Sequence, residues 1–416
     1  MGIETLKAAQ SAKHGAASIA LATSLAVLVS APAISQEQEN SGSTMEIYGF
    51  VMLDMGHEVN QSDPDWFDVL RPTKLPAFEN EFGEDGNFFA SVRQSRIGVK
   101  TSTPTALGDL KTTFELELFG TGVDAGQTTF RLRHAYGELG HFGAGQTWSP
   151  FMDIDVFPNS IEYWGPNGMA FFRNVQLRWM PIQGDTRLTF ALERPGASAD
   201  QGNYADRIEL QNIDARFPYP DVSGEFRLGR DWGYVEIAGI VRWIEWEDQL
   251  ADQFDLSGHK VGWGVNLSSN LKLGPHVLRL QAVYGEGIEN YMNDAPADVG
   301  IRNNFSNPRR PIVGEVLPVL GLVAFLDINW SEKLSTSIGY SLVDIDNSDG
   351  QADDAFKRGD YALVNLLFYP VENVMFGPEI QWGRRENFRD GFTSDDLRVQ
   401  FSVRYKFSRT FGKKLT

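Results

Sequence analysis

Strict alternation of apolar and polar residues at 397–407 is the feature that most constrains the fold of this chain. Every odd position there is apolar or aromatic and every even position is polar, with basic residues at 398, 404 and 406. Successive side chains of an extended strand point to opposite faces, so this segment has one apolar face and one polar, basic face. One such strand is usual at the half-buried edge of a soluble sheet. The number of similar segments decides between that sheet and a membrane barrel.

The N-terminus has the three parts of a secretory signal peptide. Lys7 and Lys13 form a positive region, residues 16–29 form a short apolar core, and small residues follow at a cleavage site. We predict a signal peptide at 1–35, cut after Ser35 or after Ala33. The apolar core is too short for a comfortable transmembrane helix, and no later stretch approaches one. The sequence therefore predicts an exported chain without membrane-spanning helices.

Composition narrows the class of protein further. The chain has no cysteine and a formal net charge of -18 at pH 7, and this acidity argues against a nucleic-acid partner. Neither a linker nor a change in composition divides the chain after residue 45, although a soluble chain of this length usually forms several domains. A large β-barrel avoids that size limit because lipid covers one face of its sheet and water the other. We predict a polar leader at 36–45, one barrel domain at 46–407 and a short basic tail at 408–416.

Alternating segments separated by turn residues recur throughout that domain. Long connections such as 149–170 interleave with very short ones such as 331–332. Short turns at one end and long loops at the other are typical of an outer-membrane barrel, whose closure also removes exposed sheet edges. The sequence predicts an all-β fold, a transmembrane antiparallel β-barrel of 16 strands in the outer membrane of a Gram-negative bacterium. The predicted strands are 46–56, 88–101, 109–120, 128–139, 141–149, 171–181, 185–194, 221–230, 233–247, 257–272, 276–288, 317–330, 333–345, 359–371, 374–387 and 396–407.

Three other architectures are alternatives to a barrel of 16 strands. A propeller or β-helix needs a repeat of fixed period, and the sequence shows none. A barrel of 18 strands remains open if 195–220 forms an extra hairpin. An energy-coupled transporter with a plug and about 22 strands needs a longer chain.

The segment 149–170 is unusually apolar and aromatic for an extracellular loop, and its proline and glycine residues fix bends. A loop so poor in lysine and arginine is expected to fold inward and bury itself, because apolar surface is stabilised by leaving water. It would narrow the wide aqueous lumen that such a barrel encloses and carry Asp153, Asp155 and Glu162 with it. We predict a general-porin-like barrel in which this inward-folded loop forms the constriction.

Basic residues recur in the polar register of the strands. A charge facing lipid at mid-bilayer costs about 2–4 kcal/mol, so these side chains are expected to face the lumen. Guanidinium groups bind carboxylates in bidentate fashion and suit a path for small organic anions. The alternative is that they only neutralise lumenal carboxylates and stiffen the barrel. The predicted pore-lining and substrate-binding residues are Arg96, Lys100, Arg131, Arg133, Arg178, Arg279, Arg398 and Arg404.

The sequence shows no motif of an enzyme or of a metal site. HExxH, GxSxG and P-loop motifs are absent, and Asp153 and Asp155 lack a soluble cleft in which to act as paired catalytic carboxylates. The aspartate-rich segment 344–354 misses the EF-hand spacing, and we read it as a solvated acidic loop that could contact lipopolysaccharide through divalent ions. No catalytic residue, cofactor or metal is predicted. The alternative function is that of an outer-membrane adhesin or enzyme built on a blocked barrel.

Six segments of the chain are distinctive when taken together. They are 47–50 (IYGF), 62–76 (SDPDWFDVLRPTKLP), 91–96 (SVRQSR), 129–139 (TFRLRHAYGEL), 143–153 (GAGQTWSPFMD) and 163–168 (YWGPNG). These segments resemble the DcaP-like outer-membrane porins, most specifically over 46–185. The resemblance implies a homotrimeric porin that admits small organic anions such as dicarboxylates, with 149–170 as the constriction and arginines on the facing wall. Two features depart from the family. The leader shows no heptads of the coiled-coil segment that some members carry, and the chain continues past Phe407, where such barrels commonly end on an aromatic residue.

Overall fold

Antiparallel strands close into one barrel of 16 strands in the computed structural model, which describes residues 42–412. The predicted signal peptide at 1–35 lies outside the described residues, as do 36–41 and 413–416. Within 42–412, no helix is long and apolar enough to cross a membrane. The strands are β1 (Thr44–Glu58), β2 in two parts (Asn87–Ser91 and Arg96–Thr105), β3 (Gly108–Phe119), β4 (Thr128–Leu139), β5 (Phe142–Trp148), β6 (Arg173–Ile182), β7 (Arg187–Glu193), β8 (Asp221–Arg230), β9 (Gly233–Asp248), β10 (Gly258–Leu273), β11 (His276–Glu286), β12 (Pro318–Ser331), β13 (Leu334–Ile345), β14 in two parts (Phe356–Asn365 and Leu367–Phe368), β15 (Val374–Asn387) and β16 (Thr393–Gly412).

The first and last strands close the barrel. β1 pairs with β16 from Thr44 opposite Gly412 to Glu58 opposite Arg398, and with β2 on its other side. The last strand therefore continues beyond Phe407, because residues 408–412 find hydrogen-bonded partners in the first residues of β1. The pairing begins inside the predicted polar leader and extends into the predicted basic tail.

Alternation along the strands separates the two faces of the barrel. On β6, Val175, Leu177 and Trp179 are 43%, 55% and 48% exposed, whereas Asn174 and Gln176 are 6% and 4% exposed. The apolar residues therefore face outward, where lipid covers them, and the polar residues face the lumen. This arrangement confirms the barrel predicted from the alternating pattern.

Short turns lie at one end of the barrel and long loops at the other. Residues 140–141 join β4 to β5 and 332–333 join β12 to β13, whereas 59–86, 149–172 and 287–317 connect strands at the opposite end. Short turns are periplasmic in outer-membrane barrels, so the long loops are extracellular. The loops contain the short 3-10 helices Pro64–Trp66, Pro72–Lys74, Gly122–Asp124, Ile154–Val156, Gly202–Tyr204, Ile208–Leu210 and Glu289–Tyr291.

Residues 195–220 do not add a hairpin to the barrel. Their short strand Ile213–Arg216 pairs with the extracellular end of β9, and β7 pairs directly with β8. A separate hairpin, Val299–Asn303 with Ile312–Val316, lies within another extracellular loop. The barrel therefore has 16 strands, and the 18-strand alternative is excluded.

Candidate functional site

The loop 149–172, between β5 and β6, folds into the barrel as its apolar composition predicts. Phe151, Val156 and Met169 have no exposed surface, and Met169 packs in a cluster with residues of β12 and β14. At Gly168 the loop backbone lies so close to Leu342 O of β13 that a Cβ atom would collide with it. Glycine is therefore required at this position. The loop fills one part of the lumen and leaves space along the strands that it does not cover.

The first part of the loop is fixed by Asp153. Its Oδ1 accepts a hydrogen bond from Arg227 Nη2 on β8 at 2.6 Å, and its Oδ2 accepts one from Tyr234 OH on β9 at 2.6 Å. Arg227 also lies 2.5 Å from Asp155 Oδ2 and 2.6 Å from Glu236 Oε2. We call Arg227, Asp153, Asp155 and Glu236 the loop anchor. Of its carboxylates, only that of Asp155 belongs to a substantially exposed side chain, at 50%.

The middle of the loop is held by uncharged hydrogen-bond donors that belong to the loop itself. Asn159 Nδ2 donates to Tyr369 OH at 2.9 Å. Ser160 Oγ and Ile161 N donate to the two carboxylate oxygens of Glu379 on β15, at 2.8 Å and 3.1 Å. These contacts fix the middle of the loop against the wall on the side of β14 and β15.

Glu162 is a buried member of the loop and makes no ion pair with a described residue. Its Oε1 accepts from Leu70 N at 3.2 Å, and its Oε2 accepts from Gly165 N. Burial raises the pKa of Glu162 to about 8, and the nearby Glu379 adds to the shift. The N–H groups of Gly165 and Trp164 oppose this shift, because they favour the charged form, but they do not overcome the loss of hydration. Burial therefore favours the neutral form of Glu162 over a charge in the lumen.

A cluster of arginines lies on the wall formed by β2, β3, β4 and the start of β6. Its centre is a pair of carboxylates on β3, Glu115 and Glu117, which Arg133 contacts at 2.7 Å and 2.6 Å. Both glutamates and Arg133 are nearly fully buried. Further guanidinium groups approach Glu117 from β2, β4 and the start of β6. The arginine cluster consists of Glu115, Glu117, Arg133, Arg96 (3.3 Å from Glu117), Arg173 (3.5 Å) and Arg131 (3.9 Å).

The loop reaches the arginine cluster through Tyr163. Its hydroxyl donates to Glu117 Oε1, and its ring stacks on Phe119 with 3.9 Å between centroids. Not all guanidinium nitrogens are satisfied: Arg96 Nε and Arg173 Nη1 are buried without a hydrogen-bond partner among residues 42–412. The cluster therefore has donor capacity that the protein itself does not use.

Cavities lie on both sides of the arginine cluster. The extracellular cavity, of about 230 Å³, is lined by Arg71, Arg131 and Arg173 together with aromatic rings and Glu289. The periplasmic cavity, of about 420 Å³, meets the cluster only through Trp148, whose ring centre lies 5.1 Å from the guanidinium carbon of Arg173. The charged residues that line the periplasmic cavity are Lys111, Arg178, Arg187, Asp109, Glu138, Asp155 and Glu225.

The predicted pore-lining cations fall into two groups. Arg96, Arg131 and Arg133 come together in the arginine cluster. Arg178 lines the periplasmic cavity and donates to two neutral acceptors, Gln176 Oε1 at 3.0 Å and the carbonyl oxygen of Trp148 at 2.5 Å. These four lie along one wall of the lumen.

The other four predicted cations lie outside the arginine cluster. Arg279 pairs with Asp327 at 2.6 Å. Arg398 has no exposed surface and lies 3.2 Å from Glu58, so it cannot touch a solute without a rearrangement of the wall. Lys100 and Arg404 lie on the periplasmic halves of β2 and β16, Lys100 with its Nζ 4.5 Å from the centre of the Tyr48 ring.

The aspartates of 344–354 engage neighbouring loops and strands. Asp349 Oδ1 accepts from Asn303 N at 2.7 Å, and Asp344 lies 3.8 Å from Arg358. Among residues 42–412, no group of at least three His, Asp or Glu side chains is arranged to hold a metal ion.

Sequence reasoning missed Arg173, Trp148 and Arg71. Arg173 and Trp148 form a cross-strand pair whose position in the alternation is that of outward residues, yet Arg173 contacts Glu117 and lies 5.1 Å from the Trp148 ring. Both stand where the chain leaves the sheet to enter the loop, and there the alternation no longer sets direction. Arg71 comes from a distant extracellular loop and pairs with Asp294 at 2.8 Å. The sequence feature that could have identified Arg173 as a functional residue is its position directly after the constriction loop.

Residues 40–407 match the DcaP outer membrane protein family. No curated protein sequence matches the chain. Among solved structures, the outer membrane channel DcaP of Acinetobacter baumannii is similar with a TM-score of 0.72 and 21% identity, over 90% of this chain and 100% of that one. The anion-selective porin from Comamonas acidovorans has a TM-score of 0.56 and 10% identity, over 88% and 100%. OmpT of Vibrio cholerae has a TM-score of 0.54 and 10% identity, over 89% and 100%.

Proposed function

The chain belongs to the DcaP outer membrane protein family and forms a porin-type channel in the Gram-negative outer membrane, and we propose that it conducts small organic anions such as dicarboxylates passively. The observation that carries this proposal is the charge balance of the arginine cluster. Four guanidinium groups share two carboxylates there, a formal excess of two positive charges. An excess of positive charge at the constriction attracts anions and repels cations.

The local environment strengthens this excess. The cluster is largely buried, and charges interact more strongly where little water screens them. The side chains of Arg96 and Arg131 are 23% and 31% exposed, and guanidinium groups bind carboxylates through charge-assisted hydrogen bonds. A carboxylate that passes between the extracellular and the periplasmic cavity can therefore exchange part of its hydration for these donors.

The solved structures support the proposal at the level of the fold. One similar barrel is an anion-selective porin from Comamonas acidovorans. The same family resemblance leads us to propose a homotrimer in contact with lipopolysaccharide, which cross-linking in intact outer membranes would test. The proposed preference for anions rests on the arginine cluster and not on these likenesses.

Reversal potentials across planar bilayers under a salt gradient test the proposal. The wild-type channel should favour chloride over potassium. The double variant Arg131→Gln/Arg178→Gln should shift the permeability ratio toward cations, because it neutralises two lumenal groups that are less deeply paired than Arg133. The control Arg207→Gln, an exposed extracellular residue paired with Glu209, should leave the ratio unchanged. A wild-type channel that prefers cations would refute the proposal.

The alternative is an adhesin or an enzyme on a blocked barrel. The family and the similar solved structures are channels. Swelling of liposomes that contain the protein distinguishes the two, because a channel admits small solutes such as arabinose and a blocked barrel does not. Absence of swelling together with absence of single-channel current would favour the alternative.

A further inference from the structure

Another cavity lies at the periplasmic end of the barrel, away from the one that borders the arginine cluster. It has a volume of about 340 Å³ and lies between the turns at 332–333 and 369–373 and the last strand. Its lining includes Lys333, Arg404 and Lys406. Three positive groups thus converge where a solute would leave the lumen for the periplasm.

These cations are not neutralised by the chain itself. Arg404, Lys406 and Lys333 form no ion pair with any residue of 42–412. The lysines of this range that do form ion pairs are Lys74, Lys260 and Lys357. Arg404 Nε is buried and has no hydrogen-bond partner among those residues. An unpaired donor on a buried charged group is costly, and an anion in the cavity would supply the missing acceptor.

Two carboxylates also line this cavity, and their position limits their effect. Glu332 and Glu372 lie on the exposed periplasmic turns. Exposed charges are screened by water and salt, whereas partly buried pairs are screened much less. Lys333 and Lys406 are exposed as well, so the partly buried Arg404 is the group whose charge is least screened inside the cavity.

The ring of Phe50 lies between this 340 Å³ cavity and the arginine cluster. The guanidinium carbon of Arg96 lies 5.1 Å from the centre of the Phe50 ring, and that of Arg404 lies 5.8 Å from the same centre. Two guanidinium groups that share one aromatic neighbour give an anion successive partners as it moves. Positively charged side chains therefore continue along the lumen from the constriction toward the periplasm.

We propose that this cavity is an anion-binding exit site, formed by Arg404, Lys406 and Lys333, for small multivalent oxyanions such as carboxylates and phosphate. The site would accept an anion after it passes the constriction and release it to the periplasm. It would also bind anions that arrive from the periplasm. This proposal extends the proposed function, but it predicts a sided effect that general anion preference does not.

Sided block of single-channel current tests the exit site. The protein is inserted from one compartment of a planar bilayer so that its orientation is fixed, and citrate is added to one side at a time. Citrate on the side of the short turns should block the wild-type current. In Arg404→Gln/Lys406→Gln the citrate concentration for half block from that side should rise by about tenfold or more, the factor expected when a charge-assisted hydrogen bond is lost.

Further arms make the outcome unambiguous. Block from the extracellular side should change less than block from the periplasmic side in the double variant, because citrate from outside meets the constriction first. The control Arg302→Gln, which changes an extracellular arginine paired with Glu315, should behave as wild type from both sides. Lys333→Gln alone, at an exposed turn, should weaken periplasmic block without risk to folding. Repeating the titration with inorganic phosphate shows whether the site takes oxyanions in general or carboxylates only.

The failures of the two proposals are distinguishable. Equal citrate block in wild type and in both exit-site variants would overturn the exit site and leave the reversal potential, and hence the proposed anion preference, untouched. A cation-selective wild type with sided, variant-sensitive citrate block would overturn the anion preference and retain the exit site.

Discussion

Arginine meets carboxylate in two places inside this barrel, the loop anchor and the arginine cluster, and the balance of charge differs between them. In the loop anchor, Arg227 alone contacts three carboxylates, with Arg187 at the edge 3.0 Å from Glu236. In the arginine cluster, four guanidinium groups contact two carboxylates. The same pair of residue types therefore produces a negative excess in one place and a positive excess in the other.

Exposure of the guanidinium groups differs as well, and together the two differences separate structural from functional arginines. The constriction loop covers Arg227 and Asp153, and the hydrogen-bonding groups of Asp153 are taken by β8 and β9. In the arginine cluster the side chains of Arg96 and Arg131 are 23% and 31% exposed, and Arg131 lines the extracellular cavity. An arginine holds a loop where carboxylates surround it, and it can meet a solute where cations outnumber carboxylates beside open space.

The substitution Arg227→Gln breaks the comparison on the anchored side and should have the largest effect. It leaves the buried carboxylates of Asp153 and Glu236 without their main cation. Breaking a buried ion pair by removing one partner costs about 3–5 kcal/mol. The start of the constriction loop should detach from the wall, so the unfolding temperature in detergent should fall and the single-channel conductance should rise.

The control for this variant is Arg207→Gln, at an exposed extracellular pair with Glu209, which should cost less than about 1 kcal/mol. Unchanged conductance and unchanged unfolding temperature in Arg227→Gln would show that the neutral contacts of Asn159 and Ser160 hold the loop without the anchor.

The sequence predicted the wall of the barrel better than the pairing inside it. Alternation alone placed Arg96, Arg131 and Arg178 on the inner face, because strand geometry fixes the direction of every second side chain. It could not show that Arg398 is neutralised by Glu58. That pairing depends on how the ends of the chain meet across the closed barrel.

The loop was predicted to fold inward, but the role of its charges was not. Asp153 and Glu162 appeared as possible lumenal charges, and both are buried. Their burial depends on partners from β8, β9 and a distant loop, which no local pattern reveals. Direction within a strand is a local property, whereas neutralisation of a charge is a property of the assembled barrel.

The substitution Glu162→Gln sharpens the comparison, because Glu162 is held in the loop by neutral donors alone. Burial raises its pKa from the ordinary 4.5 to about 8. Between these values the folded protein keeps a proton that the unfolded chain releases, so the contribution of Glu162 to stability falls as pH rises through this window and is level outside it. Glutamine mimics the protonated form, so the variant should match wild type near pH 4 and unfold at a higher temperature near pH 9.

The difference between the two unfolding curves across pH isolates Glu162 from the other titrating groups. A constant difference from pH 4 to pH 9 would mean that the pKa of Glu162 is the same in the folded and the unfolded protein. Asn159→Ala, which removes loop contacts to the uncharged hydroxyls of Ser335 and Tyr369, should lower stability by a similar amount at every pH.

The smallest expected effect on stability comes from Asp155→Asn, where the two regions meet. The Asp155 side chain is half exposed, contacts Arg227 at 2.5 Å and also lines the periplasmic cavity beside the arginine cluster. Because Arg227 keeps Asp153 and Glu236, and because exposed pairs contribute about 0–1 kcal/mol, the unfolding temperature should change little. Removal of a negative charge from the cavity should nevertheless move the reversal potential toward stronger anion preference.

Asp255→Asn, at an exposed extracellular pair with Arg310, should leave that potential unchanged. A loss of stability in Asp155→Asn as large as that in Arg227→Gln would mean that the loop anchor acts as one indivisible unit, and that its negative excess does not reach the path of the solute.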